Sequence, residues 1–250
     1  MENSLSLYRI WSHVKRDFVL LKSMFLTTLA ICGVLLFAFI QMNFFWDKKI
    51  TSDEFFGVLA FLYIVSGIIL SFSYFKEFHD TKFSTLYLTL PVSSGERLIA
   101  IWLSAALGHT LVFLFLGIIF GGFCLFFGSV LFGAEFDFVN LSLGSYWKMI
   151  KTYWFVLPIF MFGGATFKKN GRAKTVLFVA ISLFCLLFFN MILFGMLNHG
   201  LGFFDQTGLG SKAIELAQAD FSGFGKFIFM TILGPGMLVA AYFKIREKEG

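Results

Sequence analysis

Residues 23–45 read SMFLTTLAICGVLLFAFIQMNFF, from Ser23 to Phe45 without one charged side chain. A helix rises about 1.5 Å per residue, so this run reaches across a hydrocarbon layer of about 30 Å. The same pattern recurs at about Phe55–Tyr74, Leu98–Gly122, Met149–Phe167, Thr175–Leu197 and Gly225–Phe243, giving six candidate spans. Hydrophobic residues make up 58% of the 250 positions and charged ones only 14%, against about a quarter in a soluble domain. The expected fold class is all-α: a polytopic membrane protein with six transmembrane helices and one transmembrane domain over residues 1–250.

Two spans carry internal punctuation. Pro158 predicts a kink in the fourth, and Gly234-Pro235-Gly236 interrupts the sixth. The third is followed by a further apolar piece, FCLFFGSVLFGA (residues 123–134), which either extends the helix or dips back into the outer leaflet. Cys32, Cys124 and Cys185 lie inside apolar runs, with neither metal-ligand spacing nor a disulfide framework, and read as small buried hydrophobes. Residues 1–22 are polar and amphipathic and show no cleavage site, so a removable signal peptide is not expected.

The basic residues sort by side. The N-terminus, the loop at 74–97, the loop between the fourth and fifth spans and the C-terminus hold fourteen Lys and Arg; the other side holds six. The positive-inside rule places both termini in the cytoplasm, consistent with an even number of spans. The net charge of +5 is thereby explained by topology rather than by nucleic acid, and no nucleic-acid partner is expected. Within residues 4–22, Leu7, Ile10, Trp11, Val14, Phe18 and Leu21 recur at helical spacing, while Arg9, Lys15, Arg16 and Lys22 mostly avoid that face. This predicts an amphipathic helix lying on the cytoplasmic leaflet, the other reading being a solvated extension of the first span.

The loop between the second and third spans, FKEFHDTKFSTLYLTLPVSSGERL (residues 75–98), is more ordered in its chemistry than a connector requires. Large apolar residues alternate with charges up to Leu90, where Pro91 disfavours helix. Ser93 and Glu96 then have the spacing of a capping box, with Ser93 as N-cap and Glu96 at the third helical position.

This loop, the six spans with internal termini and the amphipathic N-terminal segment together resemble the permease subunits of type 2 ATP-binding-cassette (ABC) exporters. The likeness covers the whole chain in topology, and its specific part is Phe75 to Leu98. It implies a coupling helix docking onto a separate ABC ATPase subunit. By position, Lys76, Glu77, His79, Asp80 and Lys82 would face the ATPase. Phe75, Phe78 and Phe83 would seat the helix, and Pro91 and Ser93 would fix the turn that leads through Glu96 and Arg97 into the third span. It further implies a second permease copy, identical or related, a multi-pass place in a bacterial inner membrane, and ATP with Mg on the partner chain only. No G-x-x-x-x-G-K-[ST] occurs here, so the energy source is expected on another polypeptide, and no cofactor, metal or catalytic residue is expected on this chain.

Ionisable residues are scarce within the spans, which argues against ion-coupled transport. His109 in the third span and Asn190 in the fifth are the candidate path-lining or interhelical polar groups. The segment at 198–224, with SKAIELAQADF (residues 211–221), is expected outside, over the mouth of the path. Two other classes stand beside the exporter reading: a non-transporting membrane scaffold, and an intramembrane lipid-modifying enzyme with Glu77 and Asp80 as its carboxylates. The absence of H-E-x-x-H and of any serine-nucleophile motif weighs against the enzyme. A Phe-rich bundle suits an apolar or amphipathic cargo, and the residues go no further towards a substrate.

Overall fold

The computed structural model describes residues 5–79, 92–133, 143–168, 170–197 and 229–247, and these are almost entirely helical. In chain order they form α1 (Leu7–Asp47), α2 (Ser52–Tyr74), α3 (Lys76–His79), α4 (Ser94–Leu103), α5 (His109–Phe132), α6 (Leu143–Thr166), α7 (Gly171–Leu197) and α8 (Gly234–Glu247). A π-helical turn, Ser104–Gly108, joins α4 to α5, and a second, Phe229–Leu233, leads into α8. Among the described residues, α1, α2 and the continuous helix Ser94–Phe132 are long and apolar enough to cross a membrane. The chain is a helical, membrane-embedded protein.

The first two expected elements are one. α1 runs for 41 residues without interruption, about 60 Å of helix. No Gly or Pro occurs between Leu7 and Cys32, so nothing breaks it at the polar-to-apolar boundary near Lys22. The apolar face of its first turns is covered by protein: Ile10 and Val14 are buried with Ala100, and Phe18 and Leu103 pack against them. Leu7 and Trp11 stay exposed. α1 ends at Lys48, in the left-handed region (φ 52), whose N–H reaches Phe44 O at 3.2 Å. A capping box of Thr51 and Glu54 then opens α2.

Of the apolar piece that follows Gly122, the described residues 123–132 continue the helix. α5 passes through Gly121-Gly122 and ends only at Phe132, where Gly133 takes a left-handed conformation (φ 60). Gly121 is built into a contact, since a Cβ there would stand 2.8 Å from Phe55 Cζ. Pro158 lies inside α6, which begins at Leu143, ahead of the expected Met149. Near the C-terminus the π turn Phe229–Leu233 runs without a gap into α8, and the Gly-Pro-Gly triplet sits where the helical pattern changes. Pro235 has no N–H to continue the helical ladder, and the widened π turn lies just before it.

Aromatic rings set into glycines hold the helices close. A Cβ on Gly128 of α5 would stand 2.1 Å from the Phe44 ring of α1. One on Gly67 of α2 would meet the Tyr153 ring of α6 at 2.3 Å, and one on Gly164 of α6 would meet Phe75 at 2.6 Å. In a membrane, helices gain little from hiding apolar surface, so close backbone approach and dispersion carry the association. α6 lies against α2, α7 and α8, while α1 lies against α2, α4 and α5. Ile40, Leu59, Leu70, Ile101, Leu157 and Ile245 complete the shared core. Leu26, Ile31, Val34, Ile118, Phe126 and Phe184, among others, point outward, as lipid-facing residues do.

Candidate functional site

The first turns of α1, the start of α4, all of α3 and the last turns of α6 and α8 meet at one end of the bundle. Glu96 organises it. With Ser93 as N-cap, the Glu96 N–H reaches Ser93 Oγ at 3.3 Å, and the Glu96 carboxylate returns to the Ser93 N–H at 3.0 Å. The same carboxylate accepts the Ser6 N–H at 2.7 Å and faces Arg9 Nη2 at 3.0 Å. One side chain thus caps α4 and anchors the entry of α1. Both Glu96 and the neighbouring Arg97 have no exposed surface. α8 reaches the same place: a Cβ on Gly95 would stand 3.8 Å from the Tyr242 ring.

α3 is a single turn, Lys76-Glu77-Phe78-His79, attached to the bundle from both sides. Phe78 and the preceding Phe75 are buried, and their rings meet edge to face. Arg16 of α1 donates to the Glu77 carboxylate and also lies 3.3 Å from Asp17, which in turn is 3.3 Å from His13 Nδ1. His79 Nε2 is 2.7 Å from Gly164 O, and a carbonyl only accepts, so Nε2 carries the proton. Lys76 alone of the four is exposed. Two cavities flank α3. The smaller, about 230 Å³, lies between Asp17, Leu21, Tyr74 and Glu77. The larger, about 460 Å³, opens between α3 and the α6–α7 turn. In that turn Asn170 adopts the left-handed conformation (φ 56) that Asn tolerates better than most residues. At the last turn of α8, Lys244 donates to Glu247 at 2.6 Å, which holds that carboxyl below its usual range.

A buried polar node lies deeper, around the π turn. His109 has no exposed surface and stacks on Tyr63, with centroids 5.0 Å apart and planes 5° from parallel. Its Nε2 lies 3.1 Å from Tyr63 O and 3.4 Å from Ser66 Oγ. The carbonyl fixes Nε2–H, and among the described residues Nδ1 has no hydrogen-bond partner. Thr110 spends its hydroxyl proton on Ala106 O, so Tyr63 donates to Thr110 Oγ1 at 2.6 Å. Tyr153 donates to Ala105 O at 2.9 Å. Two of the turn's carbonyls, at Ala105 and Ala106, are therefore satisfied by side chains where the helical ladder is disturbed. Phe18 of α1 seats on Gly108, where a Cβ would approach its ring to 2.6 Å.

Of the residues singled out in the 75–97 loop, the structure gathers Phe75, Lys76, Glu77, Phe78, His79, Ser93, Glu96 and Arg97 at one end. Asp80, Lys82, Phe83 and Pro91 lie outside the described residues, as does the 198–224 segment. Asn190 falls on α7, but its side chain is outside the description. His109 meets a neighbouring helix through Tyr63 O, as an interhelical polar group does; the partnerships of Glu96 with Ser6 and Arg9, of Arg16 with Glu77, and the tyrosines and Thr110 around His109 were not foreseen. Capping-box spacing was the one local signal, and it located Glu96 without its distant partners. No protein-family model matches the chain, and no curated protein matches it.

Proposed function

We propose that the chain is the membrane-spanning permease subunit of a type 2 ABC exporter, with six spans, both termini in the cytoplasm and α3 as the start of its coupling element. The observation that supports this most is the place of α3. A four-residue helix directly after a span is braced on the core by Phe75 and Phe78 and tied to α1 by Arg16, with Lys76 turned outward. An element that receives a push from a partner needs such bracing, because a floppy connection would dissipate the motion. In this reading Lys76, Glu77 and His79, continuing through Asp80 and Lys82, meet the ATPase subunit, while Glu96 and Arg97 support the turn from behind. ATP and Mg bind the partner, a second permease copy completes the path, and the assembly sits in a bacterial inner membrane.

The test is affinity purification from native membranes in mild detergent, with mass spectrometry and an ATPase assay. An ATP-binding subunit should co-purify, and its hydrolysis rate should drop when Glu77 and Asp80 are both changed to Ala. Failure to recover any ATPase under several mild conditions, or recovery that ignores the double substitution, counts against the assignment.

A further inference from the structure

The larger cavity beside α3 has a composition that the coupling role does not require. Its walls are Met24, Phe72, Phe75 and Phe167, and its rim carries Lys76, Lys168 and Arg172, with His79 held at the wall by Gly164 O. Among the described residues no Asp or Glu lines it. The contrast with the rest of this end is sharp. Arg9 and Arg16 are matched by Glu96 and Glu77, yet among the described residues Lys76, Lys168 and Arg172 form no ion pair. Three cations from α3, the α6–α7 turn and α7 therefore line one concavity with no carboxylate among its described walls, and Lys76 stands also at the edge of the smaller cavity that holds Asp17 and Glu77.

We propose that this cavity binds the phosphate headgroup of an anionic phospholipid. The cations supply the attraction for a phosphodiester, and arginine adds a planar fork matched to its oxygens. The aromatic and Met24 walls suit the glycerol and first methylenes, which a free phosphate would leave wet. Beyond the rim, Val176 and Leu177 of α7 are exposed, giving acyl chains an apolar surface to follow. A volume of about 460 Å³ falls within the range of small-molecule sites. Basic pockets between spans are where such headgroups settle, at the level of the membrane surface.

The experiment places the full chain in nanodiscs of equal parts phosphatidylglycerol and phosphatidylcholine and counts retained lipid by native mass spectrometry after detergent transfer. Phosphatidylglycerol should be retained preferentially. Retention should weaken roughly fivefold for each of Lys76→Gln, Lys168→Gln and Arg172→Gln. Lys148→Gln with Lys151→Gln, at the start of α6, should leave it unchanged. All five side chains are exposed, and a photoactivatable phosphatidylglycerol on the unaltered chain gives a second readout, with label expected on Met24, Phe72 or Phe167. Loss of preference in the α6 control as well would reduce the effect to net charge and overturn the proposal. So would label confined to other surfaces, or displacement of the lipid by millimolar inorganic phosphate, which would mark a soluble-anion site.

Discussion

The Glu96 carboxylate, without exposed surface, holds Arg9 Nη2 at 3.0 Å and so joins the first turn of α4 to the first turn of α1. The two partners are not equivalent. Arg9 is 41% exposed and keeps much of its hydration, whereas Glu96 also serves the Ser6 and Ser93 N–H groups. Removing the acceptor orphans several donors; removing Arg9 leaves the acceptor with its backbone partners.

Glu96→Ala is therefore expected to destabilise the fold by about 2–3 kcal/mol, the scale of hydrogen bonds to a charged group. Arg9→Ala should cost less than about 1 kcal/mol, as for exposed ion pairs. Thermal unfolding in a single detergent, with both variants side by side, measures the difference. Equal effects would mean that the cap of α4 does not depend on this carboxylate.

Arg16 and Glu77 call for a charge-reversal cycle. Arg16→Glu and Glu77→Arg should each loosen α3 from α1, read as a wider distance between spin labels placed on the two helices. The double reversal should restore the distance, with a coupling of about 0.5–1 kcal/mol for a partly exposed pair. Additive effects would show that the two side chains do not meet in solution.

Two glycines of α2, ten residues apart, separate propensity from packing. Gly57 has open space around it, so Gly57→Ala should be neutral or stabilise by up to about 1 kcal/mol. Gly67→Ala would drive a methyl into Tyr153 at 2.3 Å and should cost about 1–3 kcal/mol. Unfolding midpoints in the same detergent decide it, and the sign should differ between the two.

Within the polar node the tyrosines should rank. Tyr153→Phe leaves Ala105 O without its hydroxyl donor in an apolar setting and should cost about 1–2 kcal/mol. Tyr63→Phe should cost less, because Thr110 keeps its bond to Ala106 O. Hydrogen exchange of the amides at 104–109 should rise more in the first variant than in the second.

Apolar periodicity made the helices legible, since their lengths follow from runs that must satisfy their own backbone in lipid. The end of α2 at Tyr74 and the Ser93–Glu96 box could be read directly, because caps and terminators are local chemistry. The boundary placed near Lys22 was not real, because a change from polar to apolar surface alters the surroundings of a helix without breaking it. The π turn left no local trace: Ser104-Ala105-Ala106-Leu107-Gly108 is ordinary helix in composition, and Tyr153, Tyr63 and Phe18, distant in the chain, cover it. Arg9 and Arg16 looked like solvated topology markers, and only tertiary structure shows the carboxylates that they meet.

The seat of Phe44 on Gly128 constrains how this chain can change through descent. With the ring in place, no side chain fits at position 128, so that glycine is frozen for as long as position 44 stays aromatic. Once position 44 has shrunk, alanine or serine becomes acceptable at 128, and the ring cannot then return by a single step. Substitutions at these two positions should thus follow an order, ring first and glycine second. Related chains should show the two sites changing together across the interface of α1 and α5, while the open site at Gly57 drifts on its own.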